Sequence, residues 1–377
     1  MTMTRTRECS ATPVLMMSLE LSEKKWKVGF QVGMGTRPHL RSVAARGLDV
    51  LVDEIAKAKQ RWQLPADVPV VSCYEAGRDG FWLHRWLVAQ GVTNYVVDAA
   101  SIAVDRRAKR TKTDPLDVAG LLSVLARYLA GDRCVRVVRV PTVAQEDARH
   151  WHRSRDTWQR ERTRVINRIK SLLATLGTRL PVSGDFPTRV AAARLWDGTP
   201  LPPAAQQRLR LEWALLQHVD GQLQALQAQQ RTLALEPAAA AARAKLEGLR
   251  AIGPIGAQVL ATEIFGWREI RRARQLGGLV GLVPGRYQSG ETQRDLGITR
   301  AGNALVRHIS VQLAWAWVRH QPDSALTRWY QRRFGGGGPR QRRIGIVAVA
   351  RKLLVALWRY VDHDLVPEGA QLKTAIA

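Results

Sequence analysis

The chain has 377 residues, 46% of them hydrophobic, and a formal net charge of +26 from 58 Lys and Arg against 32 Asp and Glu. That length allows two or three packed domains, while the apolar runs are too short or too soon interrupted for a signal peptide or a membrane span, as at Arg351 and Lys352. Cys9, Cys73 and Cys134 stand alone, which excludes a zinc ribbon and a disulfide framework and fits a cytoplasmic protein. The cationic excess is mostly arginine, the side chain that grips phosphate with two parallel hydrogen bonds, so the expected partner is a polyanion.

Along the chain, residues 1 to about 13 read as a disordered tail. An apolar strand over 14–21 and a second over 25–33 flank Ser22-Glu23-Lys24, a tight turn. A helix over 46–62, a strand over 68–75, a helix over 79–90, a strand over 93–98 and a helix from Pro115 follow. A hairpin followed by strand–helix alternation predicts a mixed sheet covered by helices, an order shared by the RNase H-like fold and by many other α/β domains. This first region, 14–140, ends two strands in acid, at Glu20 and Glu75, and opens its last helix with Asp114 and Asp117. Each acid alone has an ordinary explanation. Asp114 before Pro115 caps a helix, Asp117 suits its dipole, and strand-end acids are common in solvent. In combination, strand-end acids plus acids at i and i+3 on one helix face can form a cluster that calls for a divalent cation. Asp98, after TNYVV, is a competitor for a place in that cluster. The RRAKRTK segment upstream (Arg106, Arg107, Lys109, Arg110, Lys112) neutralises the acids or guides a nucleic acid across them.

The middle region, 141–245, loses its strand signals. Trp151, Trp158, Val165 and Leu172 recur every seven residues, and Leu209, Leu216 and Leu223 repeat the pattern beyond a Pro- and Gly-rich break. Two heptad helices predict a coiled coil, formed as an antiparallel pair within one chain or as a dimer seam. The first carries seven Arg and one Lys between 149 and 170 against two acids, which favours a helix lying along nucleic acid over a merely solvated face.

The last region, 246–377, is expected to be mostly helical. Gly253-Pro254-Ile255-Gly256 between helical stretches resembles a helix-hairpin-helix, with a plain packing corner as the equal alternative. Eight Lys and Arg with no acid between 328 and 352, around Gly335–Gly338, form a second candidate nucleic-acid surface or a flexible segment.

Three blocks together carry a family resemblance: YEAGRDGFWLHRWL, then RRAKRTKTDPLDVAGLL, then LVGLVPGRYQSGETQRDLGITRAGNALVRHI. In order and spacing, over nearly the whole chain, they resemble the DEDD transposases of bacterial insertion sequences. That resemblance implies a RuvC-like (RNase H-like) catalytic domain, a coiled-coil region and a C-terminal transposase domain, acting together as a recombinase guided by a structured non-coding bridge RNA. The acidic tetrad falls on Glu20, Glu75, Asp114 and Asp117, with Glu20 where the family usually has Asp. The nucleophilic serine falls on Ser289, in a Ser-Gly that by itself would be read as a turn. The resemblance further implies Mg²⁺ or Mn²⁺ at the tetrad, and donor and target double-stranded DNA as substrates. It implies a dimer or tetrameric synapse in which serine and acids meet across protomers, associated with the nucleoid when bound to DNA. Arg286, Arg294, Arg300 and Asn303 are candidates for gripping phosphate or guide RNA. A RuvC-style junction nuclease cutting with water, and a non-catalytic nucleic-acid scaffold, are the rival readings.

Overall fold

The computed structural model describes residues 13–33, 35–99, 102, 114–230, 232–289 and 292–373; for Asp114, Pro115, 286–289 and 292–295 it describes the backbone alone. Cys9, the amino-terminal tail and the basic segment Arg106, Arg107, Lys109, Arg110 and Lys112 lie outside the described residues. The chain divides into two compact units, at Val140 and Pro141.

The first unit is an RNase H/RuvC-like mixed sheet. Its strands are β1 (Leu15–Glu20), β2 (Lys25–Val32), β3 (His39–Ala44), β4 (Val70–Glu75) and β5 (Thr93–Val97), in the order β3-β2-β1-β4-β5. β1, β2 and β3 pair antiparallel, whereas β1, β4 and β5 run parallel. The sheet is covered on both faces, so the central strands are buried almost continuously and do not alternate with water. The pleat then sorts the side chains. Leu15, Met17, Leu19, Val28, Phe30, Val70 and Tyr74 share one core with Leu51 of α1 (Leu48–Arg61) and Leu83 and Leu87 of α2 (Trp82–Ala89). Met16, Val71, Cys73 and Val97 face the other way, into a core with Leu121, Leu122 and Leu125 of α3 (Asp114–Leu129).

Helix α3 sits unusually close to the sheet because Gly29 presents no side chain there. A Cβ on Gly29 would collide with Cγ1 of Val118 and come within 3.1 Å of Leu122. Two bonds fix the helix: Ser18 Oγ donates to the Val118 carbonyl at 2.9 Å, and Cys73 Sγ donates to that of Leu121 at 3.4 Å. Both side chains are fully buried.

The second unit is helical, with one small hairpin. α4 (Val143–Asp147) leads into α5 (His150–Thr175), α6 (Phe186–Ala192) and α7 (Pro203–Gln229). α5 and α7 are the two heptad helices, and they pair with each other within the chain, antiparallel. Arg162 meets Asp220 at 2.6 Å, Arg168 meets Glu212 at 2.9 Å, and Trp151 Nε1 donates to the Leu226 carbonyl at 2.6 Å. As residue numbers rise on α5 they fall on α7. Val165, Ile169, Leu173, Leu209 and Leu216 form the seam, with Phe186 and Val190 of α6 closing one end. The seam drifts from Leu172 to Leu173, as a straight helix of 3.6 residues per turn must against a seven-residue repeat.

The arginine run on α5 is partly engaged within the unit itself. Arg153, Arg162 and Arg168 reach carboxylates elsewhere in the unit, Arg160 and Arg164 pair along the helix, and Arg149 stacks over Trp267 at 4.8 Å. Much of that charge therefore knits the unit together.

A separate apolar cluster holds the remaining elements. They are α8 (Pro237–Glu247), α9 (Pro254–Leu260) continued by a π-helical turn (Ala261–Phe265), and α10 (Ala273–Val280). β6 (Pro284–Ser289), β7 (Thr292–Ile298), α11 (Ala304–His320) and α12 (Ala325–Tyr330) follow, the last continued by a second π-helical turn (Gln331–Gly335), and α13 (Pro339–His363) completes the set. α8, the glycine-bearing corner and α9 make the helix-hairpin-helix-like element. Gly256 lies against Leu313 with no room for a larger residue, so this glycine serves packing, while Gly253 at the helix start is exposed.

Candidate active site

β1 and β4 are neighbouring parallel strands, and their carboxyl ends carry Glu20 and Glu75. Leu19 stands opposite Tyr74, so the two acids are next in register. Ser18 and Cys73 both bond to α3, and two residues further on each strand the pleat returns to that same face. Glu20 and Glu75 thus occupy adjacent positions on the α3 face of the sheet edge. Val118, held by Ser18, follows Asp117 directly, and the deeper residues Leu121, Leu122 and Leu125 pack toward Met16 and Val71. The first turn of α3, with Asp114 and Asp117, therefore stands at the end of the sheet where β1 and β4 stop.

Glu75 is exposed, whereas Glu20 and Asp117 are half-buried. The Asp114 side chain lies outside the described residues. Glu75 pairs with Val97, the last residue of β5, and Asp98 follows just beyond that strand, its backbone N donating to the Arg136 carbonyl at 2.9 Å. Sequence reasoning missed Lys27, the cross-strand partner of Glu20 on the same face, whose Nζ donates to Ser42 Oγ at 2.7 Å. Only the strand register brings that cation beside the acids.

Carboxylates with no thiolate or imidazole among them form a donor set suited to a hard divalent cation such as Mg²⁺ or Mn²⁺. Among the described residues no group of three or more His, Cys, Asp or Glu is drawn close enough to hold a metal ion. Cys73, though near in sequence to Glu75, is buried against α3 with its Sγ donating to the Leu121 carbonyl, and burial pushes its thiol up to about 12.

In the second unit, Ser289 ends β6 and pairs with Thr292 of β7, at the far end of the hairpin from its base. Arg286 and Arg294 lie on the same two strands. The base is clamped by backbone contacts that only glycine permits. Gly281 (φ +68°) abuts the Ala301 carbonyl, and Gly302 (φ +87°) abuts that of Leu279. Arg300 N and Asn303 N donate across this crossing to the carbonyls of Gly281 and Leu279, at 3.1 and 2.9 Å.

Asn303 has both ends of its amide engaged inside the unit. Its Oδ1 accepts from Val306 N at 3.1 Å, capping α11, and its Nδ2 donates to Glu263 Oε2 at 3.0 Å. Glu263 sits in the first π-helical turn, only 2% exposed. It also accepts from His152 Nε2 at 2.8 Å and from Arg153 at 3.2 Å. Burial by itself would raise the Glu263 carboxyl, but the His152 hydrogen bond and the charges of His152, Arg153 and Arg149 outweigh it and hold the group below its usual range. This buried hub ties α5, the π-helical turn and the chain leaving the hairpin into one body.

An RNase H-like sheet with acids at the carboxyl ends of two parallel strands, joined to a basic helical unit, defines a nuclease-type phosphoryl-transfer architecture. Comparison with known proteins makes this specific. The profile of the transposase IS116/IS110/IS902 family matches residues 243–329, from α8 to α12. A protein of Sinorhizobium fredii named as a transposase, y4rJ, is 39% identical over 96% of this chain and 95% of its own length. A second from that organism, y4qE, is 32% identical over 70% of this chain and 62% of its own length. The transposase for insertion sequence element IS1111A of Coxiella burnetii is 24% identical over 63% of both chains. The chain belongs to the IS116/IS110/IS902 family of insertion-sequence transposases, and is an enzyme of the transposase and recombinase class.

Proposed function

We propose that this transposase cuts and rejoins DNA through a covalent serine–phosphate intermediate, at a metal-dependent site built on Glu20, Glu75, Asp114 and Asp117. The observation that carries the reading is the shared edge of the sheet. Glu20 and Glu75 occupy one face at adjacent strand ends, and the α3 turn bearing Asp117 is bonded to that face through Ser18. Bound there, a pair of divalent cations would supply charge stabilisation for the attacking and leaving oxygens of one phosphoryl group.

The residues of the chain then have distinct tasks. The Ser289 hydroxyl attacks phosphorus; its Oγ–P bond forms as the bond from phosphorus to the leaving sugar oxygen breaks. Serine loses its proton, which its ordinary acidity does not allow unaided, and the leaving oxygen gains one. One phosphoester replaces another, so a second strand's hydroxyl can reverse the step and rejoin. Simple hydrolysis would discard that bond. Arg286 and Arg294 on the hairpin strands are suited to hold the flanking phosphates.

The order and spacing of the sequence blocks around Asp114, Asp117 and Ser289 support placing this chain with the bridge-RNA-guided members of the DEDD group. On that reading a structured non-coding RNA selects donor and target DNA. The chain then works as a dimer or tetrameric synapse, with 14–140, 141–245 and 246–377 as its functional regions. The test is a pair of variants assayed for cleavage and for covalent DNA adducts. Ser289→Ala should abolish both, and Asp117→Ala should abolish both as well. Cleavage surviving in Ser289→Ala but lost in Asp117→Ala would mark a water-using nuclease. No cutting by any form, with binding intact, would leave only a scaffold. Full activity in excess chelator would remove the metal from the scheme.

A further inference from the structure

Beside the base of the β6–β7 hairpin the second unit opens into a groove of about 1150 Å³, whose opposite wall is α13. Pockets for compact small molecules run to roughly 300–1,000 Å³, so this one suits an extended segment of polymer. Its floor is apolar and aromatic, made by half-buried Trp329, Phe334, Val347 and Val355. Five cations line it as well, Arg300, Arg333, Arg351, Lys352 and Arg359, and no carboxylate is among the lining residues described. Trp329 meets Phe334 edge-on at 5.7 Å, and Lys352 lies 4.8 Å from the Trp329 ring. Ile344 is 55% exposed, a large aliphatic side chain left open to water at the groove wall.

We propose that this groove binds an unpaired nucleotide strand, with bases on the Trp329–Phe334 floor and phosphates on the arginine rim. Charge selects the occupant first: five cations without a carboxylate call for a polyanion. Four of the five are arginines, which pair with phosphate oxygens in a planar fork and also stack on bases. The floor selects single strands over duplex, because base faces are available to aromatic and apolar side chains only where the bases are unstacked. A duplex would meet the rim and leave the floor bare.

Position adds a consequence that rests on the reading of Ser289 as nucleophile. From Gly285, where the β6 register is irregular, to Ser289, four steps at roughly 3.3 Å each reach at most about 13 Å. That is close to four stacked nucleotides at about 3.4 Å per step. The groove is placed to hold the strand a few nucleotides from the reacting phosphate.

The experiment uses the full chain carrying Ser289→Ala, with no added divalent metal, so that no cutting enters the readout. Fluorescein-labelled (dT)12, (rU)12 and a 12-base-pair duplex are titrated by anisotropy across a salt series. Against that parent, Arg333→Ala/Arg359→Ala should weaken single-strand binding by about tenfold. The slope of log affinity against log salt should fall by about 1.4, or about 0.7 for each phosphate that an arginine no longer neutralises. Duplex binding should change far less. Ile344→Ser should weaken single-strand binding with the slope unchanged, and it stands in should the double variant lose its thermal transition. Loss confined to (dT)12 or to (rU)12 would name the strand as DNA or RNA, and loss of both would place recognition in the shared backbone and base faces. Equal losses for strand and duplex, or none for either strand, would overturn the proposal. So would a change of oligomeric state with strand affinity unaltered, which would make the groove an interface between copies. The serine reading fails by a different result, cleavage that survives Ser289→Ala.

Discussion

Glu263 is the residue on which the C-terminal unit is most exposed to a single change. Its carboxylate serves His152, Arg153 and Asn303 together, so Glu263→Ala takes the acceptor from buried His152, from half-exposed Arg153 and from half-buried Asn303. Removing one partner of a buried ionic group typically costs about 3–5 kcal/mol, and chemical denaturation of the second unit should register a loss of that order. The pH dependence follows from the depressed carboxyl. Stability from its ionised form is present above the usual value of 4.5 and is lost as pH falls through the lower folded value. The melting-temperature gap between the native chain and Glu263→Gln should be full near neutrality and should close at acid pH; a gap that widened there would contradict the assignment. At Cys73 the raised thiol predicts silence toward thiol reagents in the folded state, while exposed Cys134 reacts, as peptide mapping after brief labelling would report. Sequence offered no hint of the hub. His152 and Asn303 lie 111 and 40 positions from Glu263 and acquire meaning only as its hydrogen-bond partners.

At the scale of elements, Gly29 decides how α3 meets the sheet. Gly29→Val should push α3 off β2, costing about 1–3 kcal/mol by overpacking, and should displace the turn that carries Asp117. Strand cutting should then fall further than the thermal shift alone accounts for, and Gly29→Ala should lie between. The heptad pair offers a simpler check. Leu216, 2% exposed in the seam, should cost about 2–5 kcal/mol on replacement by Ala, measured as a lower denaturant midpoint. Both heptad helices were legible from spacing, but their partner was not: seven-residue periodicity is the same whether the seam closes within a chain or between two. The carboxylate partners of the α5 arginines were hidden for a related reason, since Asp220, Glu212 and Glu263 lie on other elements, outside any local window of charge. β3 escaped notice because it is an edge strand with Val43 alone buried, so its residues carry no hydrophobic pattern. The β6–β7 hairpin was read as a turn around a serine because its polar strands look like loop until they pair.

For the whole molecule, the net charge of +26 predicts nucleic-acid affinity that falls steeply with salt. A footprint of about six to ten phosphates on duplex DNA would lose roughly 10³- to 10⁵-fold between 50 and 200 mM salt. A flat response would contradict a backbone-gripping surface. No helix among the described residues is long and apolar enough to cross a membrane.

The amino-acid order alone determined the alternation of the first unit, the heptad helices, the two acids at strand ends and the acid-bearing start of α3. All of these are local: short continuous apolar runs, seven-residue spacing, a Pro at a helix start, a charge where an apolar run stops. What only the tertiary structure decided was adjacency. Parallel pairing of β1 with β4 sets Glu20 beside Glu75, the Ser18–Val118 bond brings Asp117 to the same edge, and register alone adds Lys27. In the same way, α13 and the base of the hairpin make a cationic groove from residues as distant as Arg300 and Arg359. Periodicity encodes which face of an element is apolar, while the choice of neighbour depends on packing across the whole fold.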